Sequence, residues 1–327
     1  MGNIDALCKA YMSETTRFAD LFNFFVYGGD QVIDEDELVP LDVTQLAIVG
    51  QHDAMAVEQR YRDVLKGWET MRDNVAVYAV LGIENQSYID YAMPTRGMLY
   101  DAIQYAGQVD KTRKSHRASK FAGMDRDEML SGYGKDDRLT PMVTLVLYFG
   151  ASKWSGPKSL HDMMNTHDNT LLKHVQDYRL EIVAPNDLQD SDFDRFATDL
   201  GRVLKYVKHS DEKEKLAIIV SQDERYRSLD EESALLINAV TNSKLEFEVS
   251  EGKVDMCKAI DEMRKESWDK GREDMRREMA PAIREMRKES WDKGREDMQR
   301  EMINALVSAG LVTESAVRDA LRVQGIA

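Results

Sequence analysis

The chain has 327 residues, 43% hydrophobic and 31% charged, a composition that excludes disordered, collagen-like and mucin-like chains and is long enough for about two folding units of the usual ~100–200 residues. With 44 Lys and Arg against 59 Asp and Glu, the net charge of −15 excludes a polyanion binder held by a wholly basic surface, so any nucleic-acid contact must be local. No stretch reaches the roughly 18 uninterrupted apolar residues of a membrane helix; Cys8 and Cys257 stand far apart outside any CxxC or CxxH spacing, which points to a reducing, cytoplasmic setting without a disulfide framework.

The opening MGNIDALCKAYMSE has an early Asp and no apolar h-region, so it is not expected to act as a secretory signal. The first predicted helix covers 14–27, where Phe18, Leu21, Phe22 and Phe25 recur at helical spacing and Gly28-Gly29 end the run. Three strands are then expected at 45–49, 61–66 and 75–84, the last preceded by the turn signal Arg72-Asp73-Asn74. The third, VAVYAVLGIE, is apolar on both faces and reads as a central strand covered on two sides. Pro94 opens a helix whose Leu99, Ala102, Ile103 and Ala106 follow the i, i+3, i+4, i+7 pattern. Strands at 142–149 and 179–184 and helices at 192–209, 212–222 and 230–241 complete a mixed α/β core, in the order α-β-β-β-α-β followed by more helices.

Past about residue 250 the composition turns to Met, Arg, Lys, Glu and Asp, and residues 262–279 recur almost letter for letter at 285–302, an offset of 23 residues. RKESWDKGREDM appears in both copies. At about 100° per residue, one unbroken helix presents the copies on faces roughly 140° apart, unless Pro281 between them resets the phase by a kink. The segment reads either as an oligomerisation or partner-binding helix or as a solvated, charge-laced one. Residues 302–323 read as a small helix pair, with Gly310 as a stop and Thr313 as the next N-cap. The expected domains are 1–250, the α/β unit, and 251–327, the charged repeat and terminal helix pair.

Glu84 is the first charge after nine uncharged residues of a buried strand, where a lone ionised carboxylate is costly unless paired, metal-bound or at the strand's exposed end. Gln86 points the same way two residues on, and Asp63 comes beside them if strand 61–66 pairs with this one. An Asp and a Glu converging at a strand end form a hard oxygen site suited to Mg2+, with Mn2+ as a substitute, an ion able to polarise a phosphodiester and lower the pKa of an attacking water. Lys111, Arg113, Lys114, Arg117 and Lys120, with His116 among them, form the dense basic cluster of an acidic chain and read as a DNA-backbone contact or as a solvated loop. His161, His167 and His174, spaced by 6 and 7, lack the i, i+4 facing pair of a helical zinc site, and no P-loop or dinucleotide-type Gly loop is present. GASKWSGPKS contains no G-x-S-x-G and reads as a Trp-anchored turn.

The run RYRDVLKGWETMRDNVAVYAVLGIENQSYIDYAMPTRGMLYDAIQYAGQ, at 60–108, resembles the recombination-promoting nuclease and putative transposase family, a branch of the PD-(D/E)XK nuclease superfamily. The resemblance continues through SGYGKDDRLTPMVTLVLYFGASKWSGPKSLHDMM and DERYRSLDEESALLINAVT and covers most of 14–250. It implies a restriction-endonuclease-like α-β-β-β-α-β core with added helices and a magnesium-dependent DNA endonuclease activity, to which the repeat segment adds a C-terminal helical extension. Matched motif to motif, Asp63 takes the place of the first acid, Glu84 of the second, and Gln86 of a position that is Lys in many relatives. The E-x-Q form removes a fixed positive charge, for which Lys66 is the candidate substitute. The resemblance also sets the helix after the E-x-K strand beside the site, so Arg96, Tyr100 and Gln104 are expected either at phosphate or on an ordinary half-exposed helix face; Lys111, Arg113, Lys114 and Arg117 are the DNA-backbone candidates by their charge alone. The expected partners are DNA and further copies of the chain through the C-terminal helices. The alternative is a nuclease-fold DNA-binding or regulatory protein of little or no activity that assembles through those helices.

Overall fold

The structure is a computed structural model that describes residues 2–41, 44–49, 56–61, 63–72, 75–166 and 168–323; Asp73 and Asn74 of the expected turn, and His167, lie outside the described residues. Helices α1 (Gly2–Ser13) and α2 (Thr15–Tyr27) lead into β1 (Leu38–Pro40), β2 (Thr44–Val49), β3 (Ala56–Tyr61), β4 (Val64–Arg72) and β5 (Val75–Gln86). There follow α3 (Met93–Ala118), α4 (Arg126–Ser131), β6 (Met142–Tyr148), α5 (Asn169–Leu172), β7 (Glu181–Val183), α6 (Leu200–His209) and α7 (Lys213–Gln222). The last elements are β8 (Leu229–Asp230), α8 (Glu231–Thr241), β9 (Val249–Ser250), β10 (Lys253–Val254), α9 (Met256–Ser308) and α10 (Glu314–Val323). The chain divides into two compact units, Met1–Ile260 and Asp261–Ala327.

A five-stranded mixed sheet in the order β1-β4-β5-β6-β7 organises the first unit. Strands β1, β4 and β5 run antiparallel, and β5, β6 and β7 run parallel, so the step from β5 to β6 needs a crossover, which α3 supplies. Alternation along β5 sends Leu81 and Ile83 into the larger core with Leu145, Leu147 and Phe149. It sends Glu84 and Gln86 to the other face, where their register partners Val146 and Tyr148 pack with Met93, Trp154 and Ala184. Trp154 anchors its turn as expected, buried edge-on against Tyr148.

Several elements differ from the sequence reading, each for a physical reason. Helix α1 precedes the expected first helix, and its Cys8, Tyr11 and Met12 are buried in the core. The strand expected at 45–49 forms, but as β2 it pairs with β3 in a separate two-stranded sheet. The edge of the main sheet is instead β1, whose Pro40 suits an edge because it has no N–H to donate. Helix α3 does not turn its alanine stripe inward: Ala102 and Ala106 are exposed. It is fastened through polar groups offered by β6 and by the segments that lead into β6 and β7. The hydroxyls of Thr144 and Tyr178 donate to the two oxygens of Asp101 at 2.7 and 2.8 Å, and Gln108 brackets Thr140 by accepting from its N–H at 2.7 Å and donating to its carbonyl at 3.0 Å.

In the second unit α9 continues through Pro281, so the phase between the two repeat copies is not reset by a break in the helix. Trp268 and Trp291 are 69% and 75% exposed. Gly310, at φ 69°, follows α9 and precedes α10. No helix among the described residues is long and apolar enough to cross a membrane.

Candidate active site

Val64 lies opposite Ile83 in the β4–β5 pair, so Asp63 and Glu84 are the next residues on adjacent strands, at the end where the pairing stops. The N–H of Asn85 donates to Asp63 Oδ2 at 2.8 Å and ties that carboxylate to the strand carrying Glu84. Glu84 is fully buried, and its Oε2 accepts from Arg96 Nη2 at 2.7 Å. Arg96 sits in the first turns of α3, where Pro94 fixes the helix start. Its Nη1 donates to Asp90 Oδ2 at 3.1 Å, and the guanidinium lies 5.8 Å from the centre of the Tyr100 ring. Gln86 is buried on the Glu84 face, whereas Asn85 faces the opposite core with both side-chain polar atoms unpartnered among the described residues.

The local field is negative. Burial raises the Asp63 pKa, an effect opposed by the Asn85 N–H and by Arg96 and Lys9, and reinforced by Asp5. Burial, then Asp5 and Asp63, push the Cys8 thiol up to about 12. Burial opposes the charge on Arg96, but Glu84 and Tyr100 outweigh it and hold the guanidinium protonated. A cation is thus already accommodated against Glu84. The donor set fits a hard divalent ion, because Mg2+ takes one or two carboxylates and keeps several waters. No cluster of three or more His, Cys, Asp and Glu side chains able to hold a metal occurs among the described residues; Asp63 and Glu84 are the two acids whose register positions meet where the β4–β5 pairing stops.

The other expected site residues separate into distinct places. Tyr100 is buried beneath Arg96, and Gln104 is half-buried one turn further along α3. Lys111, Lys114 and Arg117 are exposed, on helix rather than on a loop, and at 1.5 Å per residue they begin about 22 Å along α3 from Arg96. Arg113 is partly exposed, its Nε donating to the Ser131 carbonyl at 3.2 Å, and His116 Nε2 lies 2.8 Å from Asp137. Lys66 is not a substitute for the missing lysine. The two-residue period of β4 turns it to the face opposite Asp63, and its Nζ donates to the Ser13 carbonyl at 3.0 Å and to Thr15 Oγ1 at 2.8 Å, locking the α1–α2 junction.

Asp90, Asp5 and Lys9 were not singled out from the sequence. Asp5 and Lys9 are i, i+4 on α1, and Ser87 Oγ donates to Asp5 Oδ1 at 2.9 Å, fastening that helix to the end of β5. The signal available was the i, i+4 pair itself, which has meaning only once 2–13 is recognised as helix.

A family model described as putative transposase, YhgA-like, matches residues 5–233, a span that contains the whole five-stranded sheet and every residue of this site. No curated protein and no solved structure matches the chain.

Proposed function

Because the chain belongs to the YhgA-like putative transposase family, the recombination-promoting nuclease branch of the PD-(D/E)XK superfamily, we propose that it is a divalent-metal-dependent DNA endonuclease acting at Asp63, Glu84 and Gln86. The observation that carries the reading is the juxtaposition of Asp63 and Glu84 where the β4–β5 pairing stops, with the Asp63 carboxylate held to the Glu84 strand by the Asn85 N–H. Asp63 and Glu84 would hold the ion, Mg2+ or Mn2+, which when bound polarises the scissile phosphate and lowers the pKa of the attacking water. Gln86 orients a water or a phosphate oxygen through its amide but carries no charge. Arg96 supplies the fixed positive charge that the E-x-Q motif lacks. A quarter of its side chain is exposed, and it is positioned from two sides by Glu84 and Asp90, so it can meet a phosphate without reorganising. Lys111, Lys114 and Arg117 contact the DNA backbone at a distance from the cut. The chain acts in the cytoplasm, where its two free cysteines persist as thiols, and it self-associates through α9, whose tryptophans are exposed.

The test is incubation of purified protein with supercoiled plasmid, with and without Mg2+ or Mn2+. Metal-dependent nicking by the parent and none by Asp63→Asn or Glu84→Gln is expected; equal nicking by parent and both variants removes these residues from the mechanism. The Glu84–Arg96 ion pair favours one other reading, a nuclease-fold DNA-binding protein of little activity, because the guanidinium engages an acid that the metal needs. Tight DNA binding without nicking under any divalent ion would select it.

A further inference from the structure

Most tyrosines among the described residues have internal work. Tyr11 hydroxyl lies 2.7 Å from Ser233 Oγ, Tyr178 donates to Asp101, Tyr226 donates to the Arg202 carbonyl at 2.8 Å, and Tyr100 underlies Arg96. Tyr88 and Tyr91 are unlike these. They are 47% and 65% exposed, and neither takes part in a hydrogen bond or ring contact among the described residues. Both stand in the connection between β5 and α3, two and five residues beyond Gln86, on either side of the Asp90 that holds Arg96.

That connection is held rather than loose. Ser87 Oγ is bonded to Asp5 at its start, and Asp90 accepts from the Ala92 N–H at 2.9 Å through Oδ1 and from Arg96 through Oδ2. Its carbonyl accepts from the Met93 N–H at 3.2 Å. Two large rings are therefore presented to solvent on a fixed backbone beside the carboxylate pair. Charge does not explain what they would bind. Asp63 and Glu84 stand at this end of the sheet, Asp5 is bonded to Ser87, the nearest guanidinium is engaged by Glu84 and Asp90, and the exposed basic residues of α3 begin about 22 Å away. Arg96 and a bound ion are assigned to the scissile phosphate and the exposed cations of α3 lie far along the helix, so affinity at the rings themselves calls for a contact that does not depend on phosphate neutralisation, and base stacking on an aromatic ring is such a contact.

We infer that Tyr88 and Tyr91 form a stacking platform for unpaired nucleobases, so that the DNA handled at Asp63 and Glu84 is single-stranded, or opened, where it meets the protein. The inference rests on the nuclease reading for its substrate but is tested by binding alone. The full chain is titrated, without divalent metal, into fluorescein-labelled oligothymidylate of about 20 nucleotides, into an abasic oligomer of the same length and charge, and into a duplex, with anisotropy as the readout. Parent protein should bind the oligothymidylate more tightly than the abasic oligomer. Tyr88→Ala and Tyr91→Ala should each weaken oligothymidylate binding about 5- to 100-fold, the range for one lost stacked base. The Phe variants should bind as the parent does, and duplex and abasic affinities should hardly move. Equal parental affinity for oligothymidylate and the abasic oligomer, or undiminished binding by the double Ala variant, overturns the inference, as does the absence of any oligothymidylate binding. Plasmid nicking separates the two readings: base-dependent binding without nicking keeps the platform and loses the nuclease, and nicking without base dependence does the reverse.

Discussion

Removing the Arg96 guanidinium would leave a fully buried carboxylate at Glu84 without its 2.7 Å counter-charge, the situation in which breaking an ion pair costs most. Arg96→Met should lower stability by about 2–3 kcal/mol, or about 5–10 °C in Tm for a unit of this size. Added Mg2+ should raise the Tm of the variant more than that of the parent, because a second cation can take the vacated place; equal shifts in calorimetry would count against an ion at Glu84. Asp63 gives a pH signature. Burial raises its folded pKa above the ordinary 3.8, so the folded state binds the proton more strongly and stability falls as pH rises from 3.8 through the raised value. Asp63→Asn keeps an oxygen for the Asn85 N–H and abolishes that loss. Its Tm should exceed the parent's at pH 7 and match it below pH 3.8; a variant equally shifted at both would show that the carboxyl carries no burial penalty. Glu84 was legible in the sequence because one charge follows nine uncharged residues, and Gln86 because strands have a two-residue period, whereas Asp63 came in only through an assumed strand pairing and the family resemblance. Asp90 and Lys9 were not, since their part depends on a turn and on a helix packed against the strand end, neither of which leaves a periodic trace.

At the scale of the helix, α3 carries its site residue at one end and its exposed cations at the other. The span from Arg96 to Arg117 is about 22–32 Å counted from the first to the last cation, which at 3.4 Å per base pair corresponds to roughly seven to nine base pairs of duplex. Changing Lys111, Lys114 and Arg117 together to Gln should weaken duplex binding alike for unrelated sequences and flatten the slope of log K against log salt by about 0.9 for each lost phosphate contact. An unchanged slope would leave these side chains as ordinary solvated cations. Arg113, whose Nε is bonded to the Ser131 carbonyl, is kept unchanged so that this contact is not disturbed. The full length of α3 was hidden for a definite reason: the apolar pattern stops at Ala106, and beyond it the helix is held by Gln108 on Thr140, Arg113 on Ser131 and His116 on Asp137, partners 18 to 32 residues away in sequence. In the same way the apolar run at 45–49 announced a strand but not which sheet it would join, since registers are chosen by partners rather than by the strand itself.

The core of the first unit extends beyond the compositional break at residue 250, because Val254, Met256, Ala259 and Ile260 are all buried in it. A chain ending at Lys253 loses these four and should be destabilised by about 5 kcal/mol, a large share of the net stability of a domain, whereas one ending at Asp261 should melt as the parent does. Indistinguishable melting of the two truncations would place the boundary at 250 after all. By light scattering at tens of micromolar, the full chain should be a dimer or larger and the chain ending at Asp261 a monomer; a monomeric full chain would end the assembly proposal. The uninterrupted course of α9 through Pro281 bears on heredity as well as on assembly. One 23-residue copy adds about 35 Å of helix and turns the next Trp face by roughly 140°, while the exposed side chains of the repeat leave no packing to be broken by the addition. The segment is a ruler graduated in whole copies. Alleles with one copy or three would keep the melting behaviour of Met1–Ile260 and differ in the length of α9, so copy number becomes an adjustable trait that natural selection can tune without touching the α/β unit.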